Sequence, residues 1–314
     1  MRKKAVLALG GNAILKAGQK GTVEEQMKNT YDSMQGIVKL IKEGYHLVIT
    51  HGNGPQVGNM LIQQQAGIGM NVAPLPLMFL NAATEGTMGY MIEECLENGL
   101  TEEGLDVQVL TVVTRVQVDK NDPNFQNPSK PVGPFYNRDT AEKLTKEYGW
   151  NIIEDAGRGY RQVVPSPIPV DIPLASTIKE LVEEGVIVIA CGGGGIPFIK
   201  TEQGNLEGID AVIDKDFASA LLAEEIEADL LVILTGVDKV AINFGKPDQK
   251  ELDTLTVAEA EKHLAEGQFP PGSMGPKIKA AVNFLKNGGK EVVVTSVESV
   301  VDALHGNTGT LIKA

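Results

Sequence analysis

A three-layer α/β/α fold built on a mostly parallel open sheet is predicted by two features of the chain. Apolar runs of strand length alternate with amphipathic runs of helical length along nearly the whole sequence, an order that builds a parallel sheet with helices on both faces. Four of the apolar runs end in glycine. AVLALGGNAI begins at Ala5, LVIT at residues 47–50 leads into HGNGPQVG, VIVIA at residues 186–190 into CGGGG, and LVILT at residues 231–235 into Gly236. Paired glycines let the backbone turn sharply with its N–H groups exposed. Open α/β sheets bind ligands beyond the carboxyl ends of their strands, so these loops predict a wide crevice for a ligand with several negative oxygens.

The elements follow in order. Residues 24–43 set Met27, Tyr31, Met34, Val38 and Ile41 at helical spacing with Gly44 as the stop, and core packing accounts for both methionines. After the strand at 47–50, Pro55 suits the first turn of a helix through Val57, Met60, Leu61 and Gln65, whose N-terminus points at the HGNG loop. Residues 84–97 predict a helix ending at Asn98-Gly99, and residues 107–118 a long strand or hairpin arm. Residues 119–138 are crowded with Asn, Pro and Gly, too irregular for a central sheet, yet Phe125, Phe135 and Tyr136 make them too aromatic for plain disorder. With the segment at 165–169 they read as an excursion, either a lid or an inert surface insertion. A helix at 174–184 stops at Gly185, and a helix at 216–225 takes Asp216 as its cap. Strand 230–235, helices 257–264 and 277–286, strand 291–295 and helix 298–305 complete the chain.

Length and composition bound the function. A chain of 314 residues accommodates two lobes with a cleft between them. Its 35 glycines demand many tight turns, and a net charge of −13 argues against nucleic acid as partner while leaving room for a local basic pocket. Cys95 and Cys191 sit in apolar or glycine surroundings and do not form a disulfide framework, which points to a reducing cytoplasm. MRKK leads into only a short apolar run, and no stretch approaches the roughly 20 apolar residues that span a bilayer.

Three lysines stand out by context. Lys130 lies between prolines in NPSKPVGPFY, Lys215 on the turn into an apolar helix in AVIDKDFASALLA, and Lys277 at a helix start in PPGSMGPKIKAA. Lysines used on a phosphoryl group in flight need fixed partners to aim them, and Asp214 and Asp216 flank Lys215. Asp216 suits a helix cap as well as a lysine partner, and its two oxygens allow both. His51 beside GNG has no Cys, His or carboxylate cluster around it, so no protein metal site is predicted. HExxH, GxSxG, GxGxxG and GxxxxGK[ST] patterns are all missing, which weighs against zinc and serine hydrolases and against the two commonest nucleotide loops.

Taken together, LALGGNAI, THGNGPQVG, SKPVGPFY, GRGYRQVVPSPIP, CGGGGIP, GIDAVIDKDFASALLA, LTGVDKVAINFGKPDQ and GSMGPKIKAA resemble the amino-acid kinase superfamily, and within it the carbamate kinases, in order and spacing over essentially the full chain. The resemblance implies reversible phosphoryl transfer between ATP and carbamate, giving ADP and carbamoyl phosphate. It implies that Gly10, Gly11, Asn12, Gly52 and Asn53, with Gly193 and Gly194, hold carbamate and the transferred group. Lys130, Lys215 and Lys277 would stabilise its charge, with Asp216 and Asp214 orienting lysines. Residues 119–169 correspond to a small protruding lid subdomain within a first lobe of residues 1–215. Residues 216–314 form the nucleotide lobe, using Thr235, Gly236, Val237, Asp238, Lys239, Phe244 and Met274. Where many relatives carry Tyr before Ile-Asn-Phe this chain has Ala241, a change that would loosen nucleotide contact. Mg2+ would ride mainly on nucleotide phosphates, and a cytoplasmic homodimer is implied. A kinase of the acetylglutamate or aspartate type, or a binding-only regulator on the same fold, remains the alternative.

Overall fold

The computed structural model describes residues 3–16, 18–68, 70–155 and 159–314; the opening of the GRGYRQVVPSPIP motif, Gly157 and Arg158, lies outside them. Its frame is an eight-stranded sheet in which the strand Lys4–Leu9 lies between Leu230–Thr235 and His46–His51. Beyond His46–His51 come Ile187–Ile189 and Val109–Thr111, and beyond Leu230–Thr235 come Glu291–Ser296, Thr310–Lys313 and Thr254–Thr256. Pairing is parallel except between Glu291–Ser296 and Thr310–Lys313.

Alternation along the strands divides the core in two. Val6, Val48, Val188, Leu231 and Ile233 pack on one face with the helices Ala175–Glu183, Lys215–Glu225 and Met274–Lys286. Leu7, Leu9, Leu47, Ile49, Val232 and Leu234 pack on the other with Val23–Lys42 and Leu77–Glu102. The three layers are those predicted from the succession of elements. Both faces being covered is why these strands read as continuous apolar runs.

A second sheet joins Leu206–Gly208, Ile196–Lys200, Arg115–Val118 and Pro169–Asp171. From it projects the lid: strands Lys130–Tyr136, Tyr160–Val164 and Ile152–Glu154 with the helix Arg138–Tyr148. Its base is closed where Val118 pairs with Pro169. Val132 and Val164 pack on Val57 and Leu61 of the helix Gly54–Ile68, and Tyr136 Oη accepts from Gln65 Nε2, so the lid is seated on the element that follows the HGNG loop.

Several boundaries differ from expectation. The helix expected over 84–97 is Leu77–Glu102 and runs through Asn98-Gly99. Gly99 is there for close packing, since a Cβ on it would come within 3.0 Å of Val38. The arm expected over 107–118 is two strands in different sheets, broken where Val112 N donates to Ile189 O and Thr114 N to Glu85. Asp214, rather than Asp216, caps the helix Lys215–Glu225, its Oδ1 accepting from Asp216 N at 3.0 Å. The last helix is only Val300–Leu304, and the chain returns as the strand Thr310–Lys313. Among the described residues no helix is long and apolar enough to cross a membrane.

Candidate active site

The glycine ends of the central strands meet at one edge of the sheet, and their backbone packing explains their composition. A Cβ on Gly10 would lie 2.8 Å from Leu234 O, which only glycine avoids. Gly52 N donates to Leu9 O at 3.1 Å, tying the HGNG loop to the GGN turn. Gly193, Gly194 and Gly195 have φ of 65°, 96° and 85°, left-handed conformations that side chains disfavour. Gly193 faces the crevice, whereas Gly194 backs onto the protein, where a Cβ would strike Ile213 O.

Around this edge lies a cavity of about 400 Å3 lined by Gly11, Gly52, Asn53, Gly193 and the three lysines that stand out by sequence context. Lys130 reaches it from the lid, Lys215 from the first turn of its helix, and Lys277 from the first turn of Met274–Lys286. Asp216, 3% exposed, holds two of them: its Oδ1 accepts from Lys215 Nζ at 2.7 Å and its Oδ2 from Lys277 Nζ at 2.9 Å. Lys215 Nζ also donates to Ala8 O at 3.2 Å, and Lys130 Nζ to Asp214 Oδ2 at 2.7 Å. Burial alone would raise the Asp216 carboxyl, but the charges of Lys215 and Lys277 outweigh it and hold it at about 2. Burial lowers Lys215, opposed by the charge of Asp216. Arg161 joins the lining, so four cations face two carboxylates in a protein whose net charge is −13.

A second cavity of about 290 Å3 adjoins it, sharing Ser273. It is lined by Asn12, Thr235, Gly236, Val237, Lys239, Phe244 and Met274, with Ala241 and Phe269 adding apolar surface. Asp238 does not line it. Its Oδ1 accepts from Ser296 and Ser299 at 2.5 and 2.8 Å, so Asp238 braces the loop instead of facing the space.

Sequence reasoning passed over Arg161, Asn81 and Glu85. Arg161 sits in the GRGYRQVVPSPIP motif, and its guanidinium lies 5.0 Å from the Phe135 ring centre with Nη2 donating to Gly133 O at 3.1 Å. Asn81 and Glu85 lie on a helix face that reads as ordinary core. Glu85 is 1% exposed; its Oε2 accepts from Thr114 N at 2.7 Å, and its Oε1 has no partner among the described residues.

Burial raises the Glu85 carboxyl from 4.5 to about 8, with the Thr114 bond opposing. Between those values the folded chain keeps a proton that the unfolded chain has lost. The contribution to stability is therefore complete below pH 4.5 and lost as pH rises through about 8. Glu85→Gln is expected to match the parent near pH 5 and to melt progressively higher than it toward pH 8. Thermal melts across that range check this, and a pH-independent difference would refute it.

A model of the amino acid kinase family matches residues 3–296. The chain is 54% identical over 310 residues to the carbamate kinase of Thermococcus kodakarensis, covering 98% of each chain. It is 50% identical over 311 residues to that of Pyrococcus horikoshii, covering 99% of each. Among solved structures, the carbamate kinase of Giardia lamblia bound to AMP-PNP superposes with a TM-score of 0.94 at 42% identity, covering 99% of this chain and 98% of that one.

Proposed function

The chain belongs to the amino acid kinase family, and from that premise we propose that it catalyses reversible phosphoryl transfer between ATP and carbamate, as carbamate kinases do. The observation that carries the reading is the pair of buried lysines clamped on Asp216, lining a glycine-walled cavity that adjoins a second, partly apolar one. The first cavity takes carbamate or carbamoyl phosphate, with Gly11, Gly52 and Gly193 supplying backbone donors and close approach and Asn53 its amide. Of the other residues the resemblance implied, Asn12 lines the second cavity and Gly10 does not line the first. The second takes the nucleotide, its base against Phe244 and Met274 and its phosphates toward Gly236 and Lys277. In this division residues 1–215 form the acceptor lobe and residues 216–314 the nucleotide lobe, each contributing across the cleft: Asp216 and Lys277 line the first cavity and Asn12 the second.

A carbamate oxygen attacks the γ-phosphoryl directly, so the protein's task is positioning and charge stabilisation rather than nucleophilic catalysis. Lys215 and Lys277, fixed by one carboxylate, present two ammonium groups with little freedom to reorganise. Lys130 adds a third from the lid, with Asp214 aiming it. The cationic lining fits a polyphosphate, and Mg2+ carried on the nucleotide phosphates would neutralise further charge there. A homodimer in the cytoplasm completes the reading; sedimentation and fractionation report on it.

Incubating the protein with MgADP and carbamoyl phosphate is expected to yield ATP. Absence of ATP, together with robust phosphorylation of acetylglutamate or aspartate, would assign the site to another small acid.

A further inference from the structure

We infer that Asn53 is the specificity residue that recognises the amino group of the substrate, and that Asn81 is the positioning residue that makes it one. The inference deepens the reading of the glycine-walled cavity as a carbamoyl phosphate site and rests on it.

The orientation of both amides follows from backbone chemistry. One end of the Asn81 side chain lies 2.9 Å from Gly195 O and 3.4 Å from Gly192 O. Carbonyl oxygens only accept, so that end is the NH2 group. Asn81 Oδ1 is then the atom 2.6 Å from the Asn53 side chain, and two amide oxygens cannot pair, so Asn53 turns its own NH2 toward Asn81. The same nitrogen is 2.7 Å from Thr84 Oγ1, whose proton is committed to Asn81 O at 2.7 Å, which leaves Thr84 to accept from Asn53.

Both protons of Asn53 Nδ2 are thereby consumed inside the protein. Gly193 keeps the arrangement in place, since a Cβ there would collide with both Asn53 Nδ2 and Asn81 Oδ1. Asn53 and Asn81 are only 6% and 7% exposed, so neither amide turns freely.

What remains is Asn53 Oδ1. Asn53 lines the cavity, its oxygen receives no donor among the described residues, and it is not one of the oxygens sealed away from solvent. A pure acceptor is a poor choice for holding phosphate. It matches a ligand N–H, and the carboxylates of Asp214 and Asp216 in the same cavity are already engaged by lysines. Carbamoyl phosphate carries a planar NH2 at one end and a phosphoryl group at the other, so the phosphoryl end goes to the lysines and the NH2 to Asn53. Acetyl phosphate differs by a methyl in place of that NH2 and would leave Asn53 Oδ1 without a partner, the kind of mismatch a hydrogen-bonding site rejects.

The test measures kcat/KM for ATP formation from carbamoyl phosphate and from acetyl phosphate, in the parent and in folded Asn53→Ala and Asn81→Ala. Comparing the ratio of the two donors between proteins cancels their intrinsic reactivities. The ratio is expected to fall by about tenfold or more in Asn53→Ala, and in the same direction in Asn81→Ala, because Asn53 is then free to turn. A merely structural role would lower both donors by the same factor and leave the ratio fixed, and that result overturns the inference. Should the variants not fold, the parent alone decides: carbamoylphosphonate is expected to inhibit about tenfold more tightly than acetylphosphonate, and equal inhibition overturns the assignment. A parent that makes ATP from neither donor would instead defeat the carbamate reading itself, so the two failures are told apart.

Discussion

Asp216→Asn is expected to lower turnover with MgADP and carbamoyl phosphate by about 100-fold or more and to destabilise the fold by about 3 kcal/mol near neutral pH. The substitution keeps the shape and removes the charge. Lys215 and Lys277 lie within 2.7 and 2.9 Å of the two oxygens of one carboxylate that is almost wholly buried. Without it, two cations face each other across a poorly hydrated gap with no counter-charge, and an amide presents an NH2 to at least one of them. The lysines respond by turning away or losing protons, and either response removes what the transferring phosphoryl needs. The effect on stability carries its own pH signature. The folded-state value of Asp216, about 2, lies below the ordinary carboxylate range, so its contribution is present above about pH 4 and is lost as pH falls toward 2. The gap between parent and variant melting temperatures should therefore narrow as the solution is acidified below pH 4. A gap that stays constant into acid would mean that the carboxylate is not held down by the two lysines.

The parts of this arrangement that were legible in the sequence are those in which a local rule and the tertiary structure agree. Gly10 and the HGNG loop announce themselves because a buried strand rarely ends in glycine unless the backbone there must turn sharply or pass close to another chain segment. At Gly10 that segment is Leu234, whose carbonyl oxygen leaves no room for a Cβ. Lys130, Lys215 and Lys277 were visible through the stiff or capped backbone around each of them. Where a residue's role depends on its neighbour across the fold, the sequence is silent. Asp214 and Asp216 are both sound helix-cap residues, and only the path of the chain gives Asp214 the cap and Lys130, and Asp216 the pair Lys215 and Lys277. Asn81 and Glu85 look like polar interruptions of an apolar helix, since their partners are more than 25 residues away in the glycine loop and at Thr114. Asn98-Gly99 shows the converse, a strong local stop signal overridden because helix packing against Val38 needs a residue without a side chain. The short strand Thr310–Lys313 carries too few residues to show a period, and its pairing with Glu291–Ser296 makes it a strand.

Lys215→Ala is expected to produce a folded protein whose turnover is lower by at least about 100-fold. Lys215 sits at the junction of the site: its Nζ bonds Asp216 and Ala8 O, and its aliphatic stem passes 3.8 Å from the Cβ position of Gly52. That places a compact cation between the HGNG turn and the carboxylate shared with Lys277, where in the proposed reaction negative charge redistributes as the phosphoryl moves. A contact that strengthens in the transition state lowers kcat when it is removed, so the loss should persist at saturating MgADP and carbamoyl phosphate. Stability should suffer less than in Asp216→Asn. Alanine is a good helix former at the start of Lys215–Glu225, Asp214 still caps the helix, and Asp216 keeps Lys277 as its partner, so no buried charge is left alone. Lys215→Arg is not expected to restore activity, because a planar five-donor fork cannot occupy the point between Asp216 and Ala8 O that an ammonium fills. Turnover under saturation, set beside a thermal melt, decides the matter. A folded Lys215→Ala protein that turns over near the parent rate would remove Lys215 from the catalytic assignment and leave the charge stabilisation to Lys277 and Lys130.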